Sequence, residues 1–353
     1  MDQKLIELNE KAKTEPNNPD VYKELGNHFF HLQKYEEAIG YYQKSLDIDP
    51  RYYKGFYNLG NTYYKLEQHE KAVHYWHMAI EIKPDFDHAF FNLGYHYHQR
   101  GFLREAIRDL CEAARLNPNA ADTHYYLGKC YFSTNQLGMA IESFRRAIKL
   151  APDDPEYHYD LANADYDNGD FQGAADEWSV TLGLRPKDSK ARNNYCDALL
   201  KLGRPEDALS EIAQVLNEDP VYPPALCTKA EILEKVGRSE ESKKLFQEAL
   251  ALIRGKENWE PLQRYIMDNL RNSRYQGIEA LLNGGLAKES LVEVEKFLAE
   301  DSEFLPAMEL KARIFEKLGQ PEDAVEVLNR VKSLREMAEK SQPNSDKPPH
   351  GKE

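Results

Sequence analysis

The chain has 353 residues, 41% hydrophobic and 30% charged, with 46 basic against 60 acidic side chains and a formal net charge of −14. That balance disfavours nucleic acid and anionic membrane as partners, because both demand a basic face. No run approaches the roughly 18 apolar residues that cross a bilayer, and Cys111, Cys130, Cys196 and Cys227 form no CxxC pair, which suits reduced thiols in the cytoplasm.

Residues 1–18 read as one amphipathic helix with charges throughout, lacking the apolar stretch of a signal peptide and any cysteine placed for lipidation. From residue 19 the pair Leu-Gly returns every 34 residues, at Leu25-Gly26, Leu59-Gly60, Leu93-Gly94 and Leu127-Gly128, then as Leu161-Ala162. Such a period means one supersecondary unit stacked many times. With residue 19 as position 1, six units run to 222 and a seventh covers 223–256. An insert of 14 residues, 257–270, precedes two more units at 271–304 and 305–338. The remainder, 339–353, is rich in Pro, Ser, Lys and Gly and reads as a disordered tail.

Each unit carries two helical patterns. Position 20 is small in all nine, from Ala38, Ala72 and Ala106 to Ser242, Ser290 and Ala324, so a second helix can lie close on the first. Gly or Ala at position 8 does the same from the other side. Position 15 holds Gly101, Gly169, Gly203, Gly237, Gly285 and Gly319, with Asn135 in the fourth unit; these residues accept the left-handed conformation that ends a helix. Pro50, Pro84, Pro118, Pro152, Pro186 and Pro220 at position 32 stop the second helix. Tyr42, Trp76, Phe144 and Trp178 at position 24 supply bulk between hairpins.

In this register of small, bulky, Gly and Pro positions the chain resembles the tetratricopeptide repeat (TPR) family over about nine-tenths of its length. The resemblance implies an all-α, right-handed α-solenoid of about nine helix-turn-helix repeats with a concave groove. Leu8, Ala12 and Pro16 fall at positions 24, 28 and 32 of a preceding unit, so residues 1–18 are expected to be a lone second helix capping the stack. In the insert, Leu262, Ile266 and Leu270 recur at helical spacing. A regular section 19–256 and a C-terminal section 271–338 are therefore expected on either side of a helical 257–270.

The resemblance also implies that first helices line the groove through positions 2, 5, 6, 9, 12 and 13. Positions 6 and 9 give Asn58, Asn92 and Asn194, then Asn27, Asn61 and Asn163. An amide both donates to and accepts from a peptide unit, so an Asn ladder can grip an extended backbone. Position 5 reads Lys23, Tyr57, Phe91, Tyr125 and Tyr159, and position 12 Phe30, Tyr64, His98, Phe132 and Tyr166. These form an aromatic stripe that either lines the groove or supports the helices. Residues 150–184 hold nine acidic residues and no Lys or Arg, with Glu156, Asp160 and Asp167 expected on the groove, where a basic partner segment would be favoured.

Other chemistry is weaker. Lys23, Asn27 and Asn58 match the first two units of the carboxylate clamp found in some TPR co-chaperones, but His88 and Asn92 replace the Lys and Arg of its third. Asp165, Asp167 and Gly169 lack the closing Glu of a calcium loop. The pairs His74/His77 and His96/His98 are poorly placed to share a metal. No nucleophile–base pair or phosphate loop is visible, so neither enzyme activity nor a cofactor is expected. The leading expectation is a non-enzymatic scaffold that holds a protein or peptide segment in the groove of the first five units. The alternatives are a self-assembling structural protein and a substrate adaptor for a separate enzyme such as a glycosyltransferase.

Overall fold

A computed structural model describes residues 3–341, with side chains to residue 337. Every regular element among them is helical, and the chain divides into two compact units, 1–204 and 205–353. The first unit holds α1 (Gln3–Thr14), α2 (Pro19–His31), α3 (Tyr35–Ile48), α4 (Tyr53–Lys65), α5 (His69–Ile82) and α6 (Asp87–Gln99). It continues through α7 (Leu103–Leu116), α8 (Ala121–Ser133), α9 (Leu137–Leu150), α10 (Pro155–Asp167), α11 (Phe171–Leu184) and α12 (Ser189–Lys201). The second holds α13 (Pro205–Glu218), α14 (Pro223–Lys235), α15 (Ser239–Ile253), α16 (Glu260–Asn283), α17 (Ala287–Glu300), α18 (Leu305–Lys317) and α19 (Pro321–Ser341).

Local chemistry sets the helix ends. Asn18, Asp154 and Asp188 accept hydrogen bonds from backbone N–H groups of the first turn, and Pro19 and Pro155 stand just inside it. At the other end α3, α5, α7, α9, α11 and α13 each stop two residues before the position-32 proline. The residue preceding the proline turns extended, as Asp49 does at φ −131° and ψ 98°. Every hairpin turn passes through a left-handed residue. Gly fills that place in most, and Asn135 at φ 57°, but Gln33 and Glu67 adopt it as well, both at φ 59°.

Packing follows the repeat. Tyr42, Trp76, Leu110 and Phe144, all nearly inaccessible, each join a core with the position-7 leucine of the next first helix: Leu59, Leu93, Leu127 and Leu161. Position 8 must then be nearly bare. A Cβ on Gly60 would stand 2.5 Å from Trp76 Nε1 and Cδ1. With Gly there, the indole N–H reaches Asn61 Oδ1 at 2.9 Å. Repeat five carries Ala162 instead, and the corresponding Trp178 Nε1 is buried with no hydrogen-bond partner. Gly60→Ala is accordingly expected to turn the Trp76 indole away and lose that bond. Overpacking of about 1–3 kcal/mol outweighs a helix-propensity gain of about 0.5–1, leaving a net loss of about 1–2 kcal/mol in urea unfolding. Unchanged stability would show that the ring adapts freely.

In the second unit a short 3-10 turn (Glu257–Trp259) leads into α16, whose 24 residues run unbroken through the rest of the insert and the first helix of the eighth repeat. The insert is joined to the seventh repeat through its apolar face. Ile266 is fully buried in one core with Leu226, Phe246 and Ile253 of the seventh repeat, with Leu262 and Leu270 packed against it. Of the expected tail 339–353, residues 339–341 end α19 and the rest lie outside the described residues.

Candidate functional site

The first helices of repeats one to six (α2, α4, α6, α8, α10 and α12) carry two series of side-chain contacts that join each repeat to the next. In one, position 9 meets position 6 of the following repeat, 31 residues on. Asn58 Nδ2 donates to Asn27 Oδ1 at 3.2 Å, Asn92 Nδ2 to Asn61 Oδ1 at 2.7 Å, and Asn194 Nδ2 to Asn163 Oδ1 at 3.4 Å. Between them the same positions carry Tyr95 against Tyr126, ring centroids 4.9 Å apart and edge to face, and Lys129 against Asp160 at 3.2 Å. The rungs thus run amide, amide, aromatic, ionic, amide. In the other series a position-5 tyrosine meets position 6 of the next repeat. Asn92 Nδ2 donates to the Tyr57 hydroxyl and Asn194 Nδ2 to that of Tyr159, both at 3.3 Å, while the Tyr125 hydroxyl donates to Asp160 Oδ2 at 2.7 Å.

The expected groove amides therefore bond first to one another. Asn27 Oδ1 also accepts the Tyr42 hydroxyl at 2.9 Å. Asn61 Oδ1 accepts both Trp76 Nε1 and Asn92 Nδ2. The opposite ends, the carbonyls of Asn58 and Asn92 and the amide nitrogens of Asn27 and Asn61, are not used in these rungs. A bound peptide unit needs one acceptor and one donor of that kind.

Tyr57, Asn61, Phe91 and Asn92 come together around a concavity of about 420 Å³, with Phe30, Tyr64, Lys65, Tyr95, Asp122 and Tyr126. Every one of these residues stands at position 2, 5, 6, 9, 12 or 13; only Trp76, at the floor, comes from a second helix. Burial pushes the Tyr126 hydroxyl up to about 12, so it stays a neutral donor. His98, whose ring lies 5.7 Å from that of Tyr126, is held below its ordinary value first by burial and then by Lys129.

Several expected binding groups are committed elsewhere. The Lys23 ammonium lies 2.6 Å from Glu24 and 3.5 Å from Asp20. Tyr125 is buried, packed on Tyr157 and Phe144, and burial together with the Asp160 carboxylate drives its ionisation far up. Its ring supports the helices and does not line a groove. The acidic run is also spent at close range. Asp154 and Asp170 cap helices, Asp160 pairs with Lys129, Glu156 with Arg185, and Glu177 with His158 at 2.6 Å. Of the three acids expected on the groove, only Asp167 lacks such a partner among the described residues. Among the described residues no group of three or more His, Cys, Asp or Glu is arranged to hold a metal, and none of the helices is long and apolar enough to cross a membrane.

Models of the tetratricopeptide repeat match residues 53–86, 159–223, 223–255 and 305–336, and a TPR-repeat model matches 26–67, 94–134 and 128–169. The chain belongs to the tetratricopeptide repeat family. A search of curated proteins found no match. Among solved structures, PilF of Pseudomonas aeruginosa is 18% identical with a TM-score of 0.52, over 60% of this chain and 97% of its own. MamA is 22% identical with a TM-score of 0.45, over 49% and 95%. YrrB, described as a TPR protein with an unusual peptide-binding site, is 18% identical with a TM-score of 0.45, over 52% and 95%. At that identity the likeness to PilF carries the fold alone: an all-α TPR solenoid.

Within this TPR array the sequence reading missed Tyr95, Tyr126 and Lys129. They are not asparagines, but they occupy positions 6 and 9, and the same spacing of 31 residues pairs Tyr95 with Tyr126 and Lys129 with Asp160. The second unit has a larger concavity, about 1030 Å³, between α15, α16 and α17. Its charges neutralise one another: Arg271 binds Asp268 at 2.6 Å and Asp301 at 3.3 Å, and Arg274 binds Glu300 at 2.6 Å. It offers no repeated pattern that a ligand could follow.

Proposed function

We propose that this TPR protein is a non-enzymatic adaptor that holds an extended segment of another protein along the first-helix face of α2 to α12. One observation carries the reading: the concavity of the first unit is lined from the groove positions of four consecutive repeats, beside a ladder of amides each with one end unspent. Backbone recognition by amides tolerates varied partner sequence, since every peptide unit presents the same donor and acceptor. Each such bond contributes only about 0.5–1.5 kcal/mol net, so binding depends on several rungs acting together.

The test is capture of partners from the native cell by wild type and by Asn58→Ala with Asn92→Ala. Losing both amide rungs is expected to weaken capture about tenfold or more, while the melting curve confirms that the repeats remain folded. Equal capture by both proteins would place the binding surface elsewhere. Tyr125→Ala is unsuited to this purpose, because that side chain belongs to the core.

A further inference from the structure

The amide ladder would hold any peptide; the rung that breaks it selects one. We infer that the segment is anchored by an aromatic or large aliphatic side chain seated between α4, α6 and α8, an assignment that rests on the groove reading above. Tyr57, Tyr64, Phe91, Tyr95 and Tyr126 wall this concavity and Trp76 floors it. Phe91 and Tyr95 both meet Tyr126 edge to face, at 5.9 and 4.9 Å, which leaves ring faces and edges available to a further apolar group.

Most of the amide hydrogen-bonding capacity inside is consumed. Asn61 Oδ1 accepts from Trp76 and Asn92, and both protons of Asn92 Nδ2 are given, one to Asn61 and one to Tyr57. Of the amide groups, what remains is one donor, Asn61 Nδ2, and one acceptor, Asn92 Oδ1, beside the tyrosine hydroxyls of the wall. That pair suits the C=O and N–H of a single peptide unit, not a charged side chain. Charges stand only at the two ends of the first helices. Lys65 closes α4, and Asp122 opens α8, where it already accepts the Tyr157 hydroxyl at 2.6 Å. A charged anchor among the rings would lose its water, with Lys65 and Asp122 only at the exposed rim.

The order of the rungs gives the anchor neighbours. Adjacent first helices at an ordinary spacing of about 8–10 Å correspond to about three residues of extended chain at about 3.3 Å each. With an apolar side chain over Tyr95 and Tyr126, the backbone about three residues away on one side lies over the amides of Asn61 and Asn92. On the other side it lies over Lys129 and Asp160, a self-neutralised pair that accepts a polar residue.

Full-length protein is used to select binders from a library of random peptides, and the selected sequences are synthesised with blocked ends. They are expected to share one Phe, Tyr, Trp, Leu or Met. Replacing that residue by Ala should weaken binding to wild type about tenfold, as should Tyr126→Ser in the protein, whereas Tyr126→Phe keeps the ring and the affinity. The peptide-side change needs no altered protein, so the result stands even if Tyr126→Ser unfolds. Peptides weakened by Asn58→Ala and Asn194→Ala but indifferent to their apolar residue, or enriched in Lys and Arg, overturn the anchor and leave the groove reading intact. Peptides indifferent to every groove substitution, or a selection that yields none, overturn both.

Discussion

Trp76→Ala is expected to cost about 3–5 kcal/mol of stability, among the largest effects available to one substitution in this chain. The indole is 2% exposed and packs with Ala72 and Leu93, so its removal leaves a cavity that two rigid helices cannot close. It also takes away one of the two donors to Asn61 Oδ1 and so loosens the Asn61–Asn92 rung. Repeat arrays are stabilised by neighbour contacts, so the damage should be local: α4 to α6 are expected to unfold ahead of the rest, and the urea transition to broaden or split. Circular dichroism across urea with hydrogen exchange of α4 to α6 checks both parts. A single sharp transition displaced by less than about 1 kcal/mol would contradict the view that position 24 is where hairpins are joined.

That junction was the most legible part of the molecule. Small residues at positions 8 and 20 and bulk at position 24 are steric statements, and steric statements survive translation from sequence to fold. The turn was less legible. Gln33 and Glu67 show none of the preference that marks Gly or Asn, yet the neighbouring helices hold them in the same left-handed conformation. The groove was legible in outline only. Asn27, Asn58, Asn61 and Asn92 could be placed on first helices by register, but which amide end each would spend depends on partners 15, 31 and 35 residues away. Tyr125 and Tyr57 share position 5, yet one is sealed and the other lines the concavity, because Tyr125 meets Tyr157 and Phe144 where Tyr57 meets Phe86 and Asn92. Charge was the least legible. The tract holds no Lys or Arg, yet Lys129 and Arg185, on either side of it, pair with Asp160 and Glu156.

Asp165 is the acid buried deepest in that tract, and Asp165→Asn is expected to stabilise the protein at neutral and alkaline pH. The residue is 2% exposed, and burial raises its carboxyl from an ordinary 3.8 to about 6. Arg145 at 3.6 Å opposes the rise, and Asp170 and Glu177 add to it. Because the folded-state value lies above the unfolded one, the neutral acid is the form that suits the fold. Below about pH 4 both states hold the proton and the carboxyl subtracts nothing; as pH rises through about 6 the folded state must surrender a proton it favours, and stability falls. A displacement of about two units corresponds to about 3 kcal/mol. Asn keeps the shape and cannot ionise. The stability difference between variant and wild type should therefore be near zero at about pH 4, grow between about pH 4 and 6, and level off at about 2–3 kcal/mol by about pH 8. Subtracting the two urea series removes titrations common to both proteins. A variant less stable than wild type at alkaline pH would mean that the pairing with Arg145 outweighs the cost of burial, and the inverse slope would follow.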